Sequence, residues 1–217
     1  MNYNFANNEI IQVGTMYCIG RNYADHAKEM GVEVPGEPIV FLKPPSAYVN
    51  SGSTVRLPSI SNEVHHEVEL VAVIGKDCMN VRKEEAIDVI EGYAVGIDLT
   101  LRDVQSRAKK KGHPWAVAKG FSGSAPISQV IPASGIKDDI IDFDLELQVN
   151  GITKQKGNTA FMQRPLAELI EYLSSIFDLR RGDCIFTGTP EGVGPVKSGD
   201  EVTAYLGELA RLNINIE

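Results

Sequence analysis

The chain has 217 residues, 43% of them hydrophobic, and a formal net charge of −8. This composition is typical of a globular protein with a hydrophobic core, and the acidic balance without a long basic run argues against nucleic acid as a partner. No apolar run approaches the ~18 residues of a membrane span, so no membrane segment is expected. Three widely spaced cysteines and an N-terminus without a leader-like pattern favour a reducing, cytoplasmic location.

Short β-branched segments bounded by turn residues predict strands in the first half of the chain. These predicted strands cover residues 17–20, 39–43, 64–74 and 93–99. A short helix is predicted after the first of them. Asn22 with Asp25 three residues later is typical of a helix N-cap, and the helix would run to about Met30, before Gly31.

Helical periodicity and turn signals organise the rest of the chain. Helices are predicted over 83–91, ended by Gly92, over 101–110, and over 166–177. The run from Lys109 to Lys111 would end the helix predicted over 101–110, where cations suit the helix dipole. Asn150-Gly151 predicts a hairpin turn. A further strand is predicted at 145–149, and residues 184–187 and 201–216 are predicted as strand and turn. Strands outnumber helices, which predicts an α+β protein dominated by β-structure.

Glu67 and Glu69 are the most informative residues of the chain. They lie two residues apart in the apolar run 64–74, so a strand would place both carboxylates on one side, about 6.6 Å apart. Unpaired burial of two carboxylates is costly, and a hard divalent cation would remove that cost. The alternative is the exposed side of an amphipathic strand. Asp98, unusual at a strand end, would supply a third ligand or else cap the helix near Thr100.

His26 and Glu29 are candidates for acid–base chemistry. Their spacing of three places both on one side of the predicted helix. A glutamate that orients a histidine raises its basicity, which suits a general base acting on water. The alternative is a solvated surface pair, which is common at this spacing.

Three further residues are candidates for charge stabilisation or substrate contact. Lys119 lies in an apolar stretch beside the only tryptophan, Trp115, and would either stabilise negative charge or extend to the surface. Arg102 and Gln105 share one side of the helix after Asp98, and their alternative is ordinary helix surface.

The glycine-rich segment 187–194 follows a predicted strand. It lacks the spacing of a phosphate-binding loop, so nucleotide binding is rejected. Flexible backbone near a small ligand is expected instead, with Thr189 as a hydrogen-bond donor. His65 shares the side of the two glutamates and is a candidate fourth ligand, whereas His66 points the other way.

Seven segments, in order along most of the chain, resemble the fumarylacetoacetate hydrolase superfamily and its acylpyruvase and fumarylpyruvate hydrolase-like branch. The seven segments together are more specific for this superfamily than any single segment is. The segments are 19–29, 41–44, 66–70, 96–103, 118–121, 149–151 and 182–194. Ser122 departs from the pattern, because many members have aspartate there, and this puts the branch in doubt more than the metal site.

This resemblance implies a mixed β-sandwich roll formed by residues 1–217 as a single catalytic domain, usually in a homodimer. It implies Mg²⁺ or Mn²⁺ bound by Glu67, Glu69 and Asp98. It also implies a water-activating pair, His26 and Glu29, and a bound 2-oxo acid contacted by Arg21, Lys119 and Thr189.

The predicted function is metal-dependent hydrolysis of a C–C bond in acylpyruvates, such as fumarylpyruvate or acetylpyruvate, giving pyruvate and a carboxylic acid. Because a fold does not fix a reaction, two alternatives share the site: oxaloacetate decarboxylation and isomerisation of the 2-hydroxyhepta-2,4-diene-1,7-dioate type. An alternative of another class is a protein with a purely structural cation. In that protein the His26–Glu29 pair and Lys119 would have no purpose.

Overall fold

The computed structural model describes residues 1–29, 31, 36–136 and 141–217. Met30, the predicted end of the first helix, lies outside the described residues. The strands are β1 Met16–Gly20, β2 Ile39–Lys43, β3 Tyr48–Asn50, β4 Thr54–Val55, β5 Val64–His66, β6 Val68–Ile74, β7 Ile90–Ile97, β8 Thr100–Leu101, β9 Ala125–Ile127, β10 Ile131–Pro132, β11 Asp144–Val149, β12 Ile152–Asn158, β13 Cys184–Phe186, β14 Gly194–Val196, β15 Glu201–Leu206 and β16 Ala210–Ile216. The α-helices are α1 Ala24–Glu29, α2 Arg102–Lys111, α3 Ala116–Lys119 and α4 Leu166–Ile176.

Within the described residues the strands form three sheets. The largest has eight strands in the order β2-β1-β13-β6-β7-β9-β3, with β10 paired to β7. A five-stranded sheet has the order β12-β11-β15-β16-β4, and a small sheet has the order β14-β5-β8. The predicted α+β class dominated by β-structure is therefore confirmed. None of the described helices is long and apolar enough to cross a membrane.

The central strand β6 is buried along its whole length because both of its sides are covered. Leu70 packs into a core shared with Leu147 of the five-stranded sheet. Val71, on the opposite side of β6, packs into a second core that contains Phe186. The alternative of a solvent-exposed strand side is therefore wrong, and a carboxylate on β6 has to be accommodated inside the protein.

The strand predicted over residues 64–74 is interrupted at Glu67. β5 pairs with β14 and β8 in the small sheet, whereas β6 pairs with β13 and β7 in the large sheet. The chain thus passes from one sheet to another at Glu67, whose carbonyl accepts a hydrogen bond from the Asp98 backbone N–H at 2.8 Å. Hydrophobic periodicity contains no information about this change of pairing partner.

The helix predicted over residues 83–91 is wrong. The structure has two 3₁₀ turns, Lys83–Glu85 and Ile87–Val89, and β7 begins at Ile90. Buried Ala86 and Val89 are three residues apart, a spacing that fits a 3₁₀ turn as well as an α-helix. Tertiary pairing of the following segment with β6 decides between them.

Asn22 does not cap the first helix, although its spacing to Asp25 predicts a cap. Its side chain is buried and donates to the carbonyls of Thr187 at 2.9 Å and Arg164 at 3.0 Å. It also accepts a hydrogen bond from the Arg164 backbone N–H at 2.8 Å. Asn22 therefore ties the start of the helix to the loop that follows β13.

The strongest local signals are confirmed. Asn150 and Gly151 have φ angles of 52° and 75°, which is the backbone that a two-residue hairpin between β11 and β12 requires. The second and fourth helices form close to their predicted bounds. The second ends at Gly112 in the left-handed conformation, a common C-terminal arrangement.

Gly92 provides a test of this fold because it lies inside β7 rather than at a helix end. A Cβ atom added there would lie 2.5 Å from the Ile131 carbonyl oxygen. Gly92→Ala is expected to lower the free energy of unfolding by about 1–3 kcal/mol, because backbone atoms would have to move. Gly36→Ala is the control, since nothing lies within 4 Å of its added Cβ. Equal urea midpoints for the two variants would contradict the assignment.

Candidate active site

Three buried carboxylates meet where β6 and β7 pair. Glu67 precedes β6, Glu69 lies in it, and Asp98 follows β7; their exposed fractions are 6%, 2% and 0%. The antiparallel register pairs Val68 with Ile97, so the start of β6 lies beside the end of β7. One oxygen from each carboxylate lies within 4.8 Å of the others. The three side chains predicted as metal ligands are therefore together.

Three buried cations surround these carboxylates. Lys119 Nζ donates to Glu67 Oε2 at 2.7 Å and also to Asp98 Oδ2. Arg102 donates to the other oxygen of Glu67. Lys43 Nζ lies 2.8 Å from Asp98 Oδ1. Of the two alternatives for Lys119, extension to the surface is wrong, because its side chain is 2% exposed.

The two glutamates are held in opposite electrostatic environments. Burial alone would raise the pKa of Glu67, but contacts with Lys119 and Arg102 outweigh it and hold that pKa well below its usual range. Burial, with repulsion from Asp98 and Glu67, raises the pKa of Glu69 well above its usual range. Burial opposes the charge of Lys119, yet Asp98 and Glu67 raise the pKa of its ammonium. The negative charge least compensated by protein cations is on Glu69.

The donor set fits a hard divalent cation. All three groups offer carboxylate oxygens, the ligands that Mg²⁺ and Mn²⁺ prefer. Asp98 Oδ1 is buried and accepts no hydrogen bond among the described residues, although Lys43 is nearby. The hydrogen bonds of Lys43 go instead to the oxygens of Leu99, Lys119 and Ser124. A cation would bind the carboxylate oxygens of the cluster and relieve the repulsion at Glu69.

His26 and Glu29 form the predicted pair on α1. His26 Nδ1 lies 3.3 Å from Glu29 Oε2, and the His26 side chain is 9% exposed. The Gly192 backbone N–H reaches both oxygens of Glu29 at 3.2 Å. The pair is therefore anchored to a second segment of the protein, with His26 buried and the Glu29 side chain 36% exposed.

The glycine-rich segment 187–194 supplies backbone donors to the carboxylates. The Gly188 N–H donates to Glu69 Oε2 at 2.7 Å, and the Gly192 N–H donates to the carboxylate of Glu29. Gly188 has a φ of +97°, and an added Cβ would lie 2.8 Å from the Asn22 side chain. The loop thus holds a carboxylate of the acidic cluster and a carboxylate of the His26–Glu29 pair at the same time.

A cavity of about 250 Å³ opens onto these groups, which is a volume suited to a small metabolite. Glu29 and Asp98 do not line it, but each contacts a residue that does. Thr189 is buried and its hydroxyl accepts from Gln155 at 2.8 Å, and Gln105 accepts from Arg102 at 2.8 Å. The predicted site residues that line the cavity are Arg21, His26, Glu67, Glu69, Arg102, Gln105, Lys119 and Thr189.

The two neighbouring histidines do not join the acidic cluster. His65 Nε2 lies 2.9 Å from Glu63, and its other ring nitrogen accepts from Arg102 at 3.3 Å. His66 is buried and lies 2.9 Å from Gln155. His65 as a fourth ligand is therefore not supported: both ring nitrogens have other partners. Burial lowers the pKa of both histidines, and Arg102 lowers that of His65 further.

Several residues at the site are not among the predicted site residues. Lys43 is predicted only as the end of a strand and as part of the family-like segment 41–44, and its burial depends on tertiary packing. Ser106 and Lys109 line the cavity with Arg102 and Gln105. Gln105, Ser106 and Lys109 follow Arg102 by three, four and seven residues, which places all of them on one side of a helix. This spacing would have identified Ser106 and Lys109 from the sequence. Ser122, the departure from the family pattern, is exposed on a different surface cavity.

Comparison with known proteins identifies the family. Residues 15–217 match the model of the fumarylacetoacetate (FAA) hydrolase C-terminal family. The chain belongs to the fumarylacetoacetate hydrolase family. The superfamily expected from the sequence is thus confirmed, and its named relatives are enzymes that include tautomerases and hydrolases.

Relatives of this family member are similar over nearly their whole length. The chain is 48% identical over 200 residues to oxaloacetate tautomerase FAHD1, mitochondrial, of Arabidopsis thaliana, covering 92% of this chain and 89% of the relative. It is 47% identical over 191 residues to oxaloacetate tautomerase YcgM of Escherichia coli, covering 88% and 87%. The crystal structure of fumarylpyruvate hydrolase from Pseudomonas aeruginosa in complex with Mn²⁺ and pyruvate matches with a TM-score of 0.95 and 38% identity, covering 100% and 95%.

Glu69→Gln tests the acidic cluster in both its metal-free and metal-bound states. Because burial raises the folded-state pKa of Glu69, its ionisation destabilises the metal-free protein as the pH rises from the usual carboxyl range through that pKa. Removing the charge should therefore raise the melting temperature of the metal-free protein at neutral pH and flatten its pH dependence. The same change should weaken Mn²⁺ binding by more than ~100-fold, since even supporting groups contribute about 10–100-fold.

Differential scanning calorimetry and Mn²⁺ titration of the same samples measure these opposite effects. Glu84→Gln, at an exposed position, is the isosteric control and should change neither quantity. Unaltered Mn²⁺ affinity in Glu69→Gln would refute the ligand assignment.

Proposed function

We propose that this protein interconverts the keto and enol forms of oxaloacetate, with Mg²⁺ or Mn²⁺ held by Glu67, Glu69 and Asp98. The observation that carries the proposal is that His26 lines the same cavity as Glu67 and Glu69 of the acidic cluster. A group able to move a proton therefore faces the position where a 2-oxo acid would chelate a cation. The tautomerase names of relatives at 48% and 47% identity support the same reaction.

Tautomerisation moves one proton from C3 of oxaloacetate to the oxygen on C2. His26 takes the C3 proton, the C–H electron pair becomes the C2–C3 double bond, and the carbonyl electrons pass to the oxygen. That oxygen then receives a proton from His26 or from water, which completes the enol. Because Nδ1 of His26 faces Glu29, the ring nitrogen available to the substrate is Nε2.

The negative charge that develops on the 2-oxo oxygen needs compensation in a buried site. A divalent cation bound to the three carboxylates would supply Lewis-acid polarisation of that oxygen. Lys119 is fixed between Glu67 and Asp98 and adds a positive charge beside the same position without reorganising. Arg102, Gln105 and Thr189 line the cavity and would orient the substrate.

His26→Asn tests the assigned proton transfer. Loss of a general base is expected to lower kcat for the keto–enol interconversion by about 10²–10⁴, followed by the ultraviolet absorbance of the enol. Glu29→Gln should have a smaller effect on kcat, because it orients His26 without touching the substrate. Both variants should bind Mn²⁺ with wild-type affinity. Full activity of His26→Asn would remove His26 from the mechanism, whereas joint loss of activity and Mn²⁺ binding would point to a collapsed site.

A second candidate function is hydrolysis of fumarylpyruvate, which the Mn²⁺ and pyruvate complex of the Pseudomonas aeruginosa hydrolase favours. In this reaction His26, oriented by Glu29, deprotonates a water molecule that attacks the 4-carbonyl. The C3–C4 bond then breaks, fumarate leaves as the acid, and the remaining enolate of pyruvate is protonated at C3. Both reactions share the enolate and its compensation by Lys119.

An activity screen separates the two candidates. Oxaloacetate, fumarylpyruvate and acetylpyruvate are assayed with Mg²⁺, with Mn²⁺ and after chelation, and pyruvate release reports C–C cleavage. We expect metal-dependent tautomerisation with a kcat/KM at least ~10-fold above that for either hydrolysis. A larger kcat/KM for fumarylpyruvate would make the second candidate the principal function, and turnover unaffected by chelation would contradict both.

A further inference from the structure

Lys109 lies on the wall of the candidate active site. A lysine at this position is expected in any case, because cations are favourable in the last turn of a helix. α2 turns one side toward the cavity, and Lys109 is on that side, seven residues after Arg102. Lys110 and Lys111 also provide cations in the last turn, and neither is among the described residues that line this cavity. The helix dipole therefore does not explain why a lysine faces the cavity.

The ammonium group of Lys109 has an aromatic contact but no acidic partner. It lies 4.9 Å from the ring centroid of Trp115, and among the described residues no carboxylate forms an ion pair with it. The side chain as a whole is exposed, and the residue lines the cavity. Partial loss of water there, with repulsion from Arg102 and Arg21, lowers the pKa of Lys109 to about 8. An anion at this position would relieve that repulsion.

The charges of the site favour a ligand with two negative charges. The three buried carboxylates are matched by three buried cations, Lys43, Arg102 and Lys119. A bound divalent cation leaves this buried group with two excess positive charges, and Arg21 and Lys109, which also line the cavity, add to the excess. A monocarboxylic 2-oxo acid compensates only part of this excess, whereas a dicarboxylic one brings a second negative charge.

We propose that Lys109 binds the distal carboxylate of a dicarboxylic 2-oxo acid and makes the site selective for dicarboxylates over monocarboxylates with the same chelating end. The inference rests on the proposed function, which assigns the chelating end of the substrate to the acidic cluster. Trp115 supports the lysine from one side and limits its freedom. Lys109 is thereby a specificity-determining residue of the cavity that Glu69 also lines.

The test uses L-malate and L-lactate, which have the same 2-hydroxy acid end and differ in the distal carboxylate. Neither is a substrate for keto–enol interconversion, so calorimetric titration into the Mn²⁺-loaded protein measures binding without turnover. We expect the wild type to bind malate about 10–100-fold more tightly than lactate, as a charge-assisted hydrogen bond predicts. Lys109→Met should abolish this preference, and Lys109→Arg should retain most of it.

Lys110→Met is the matched control, because it removes the same charge from the same helix end and should keep the malate preference. Lys109→Met should also raise KM for oxaloacetate by about 10-fold with little change in kcat. Equal affinities of the wild type for malate and lactate, or a malate preference that persists in Lys109→Met, would overturn the proposal. A malate preference that depends on Lys109, in a protein without keto–enol activity, would support the role of Lys109 in dicarboxylate binding. It would refute only the proposed function.

Discussion

Burial of three carboxylates within 4.8 Å of one another is the constraint on which the arrangement of this protein depends. Such a cluster is stable only where positive charge is built around it, because an isolated buried carboxylate is very costly. Lys43, Arg102 and Lys119 are buried for this reason, and their positions come from a strand, a helix and a short helix far apart in sequence. Glu69 is left with the least compensation, which makes it the group most affected by an added cation.

The junction between sheets creates the geometry of the cluster. The chain leaves the small sheet and enters the large one at Glu67, and this break allows its carboxylate to turn toward Lys119 and Arg102. The loop after β13 then crosses the same edge and donates backbone N–H groups to Glu69 and Glu29. One loop of small residues thus fixes the distance between the acidic cluster and the His26–Glu29 pair.

The side chains that line the cavity fall into two groups. Glu67, Glu69 and Lys119 belong to the buried, charge-balanced cluster, which suits the chelated 2-oxo acid of the proposed function. Arg21 and Lys109 also line the cavity, and burial, with repulsion from Arg102 and Arg21, lowers the pKa of Lys109. Under the two proposals made above, enolate formation depends on the first group, and Lys109 distinguishes substrates by their charge.

The sequence by itself determined the elements with strong local signals. The Asn150-Gly151 turn and the helices over α2 and α4 follow from backbone preferences and periodicity. The spacing of Glu67 and Glu69 and the strand-end position of Asp98 were sufficient to predict one acidic cluster. Only the tertiary structure decided that β5 and β6 separate, that residues 83–89 form 3₁₀ turns, and that Asn22 binds a distant loop. These features depend on pairing partners far along the chain, and local periodicity does not record which partner a segment will meet.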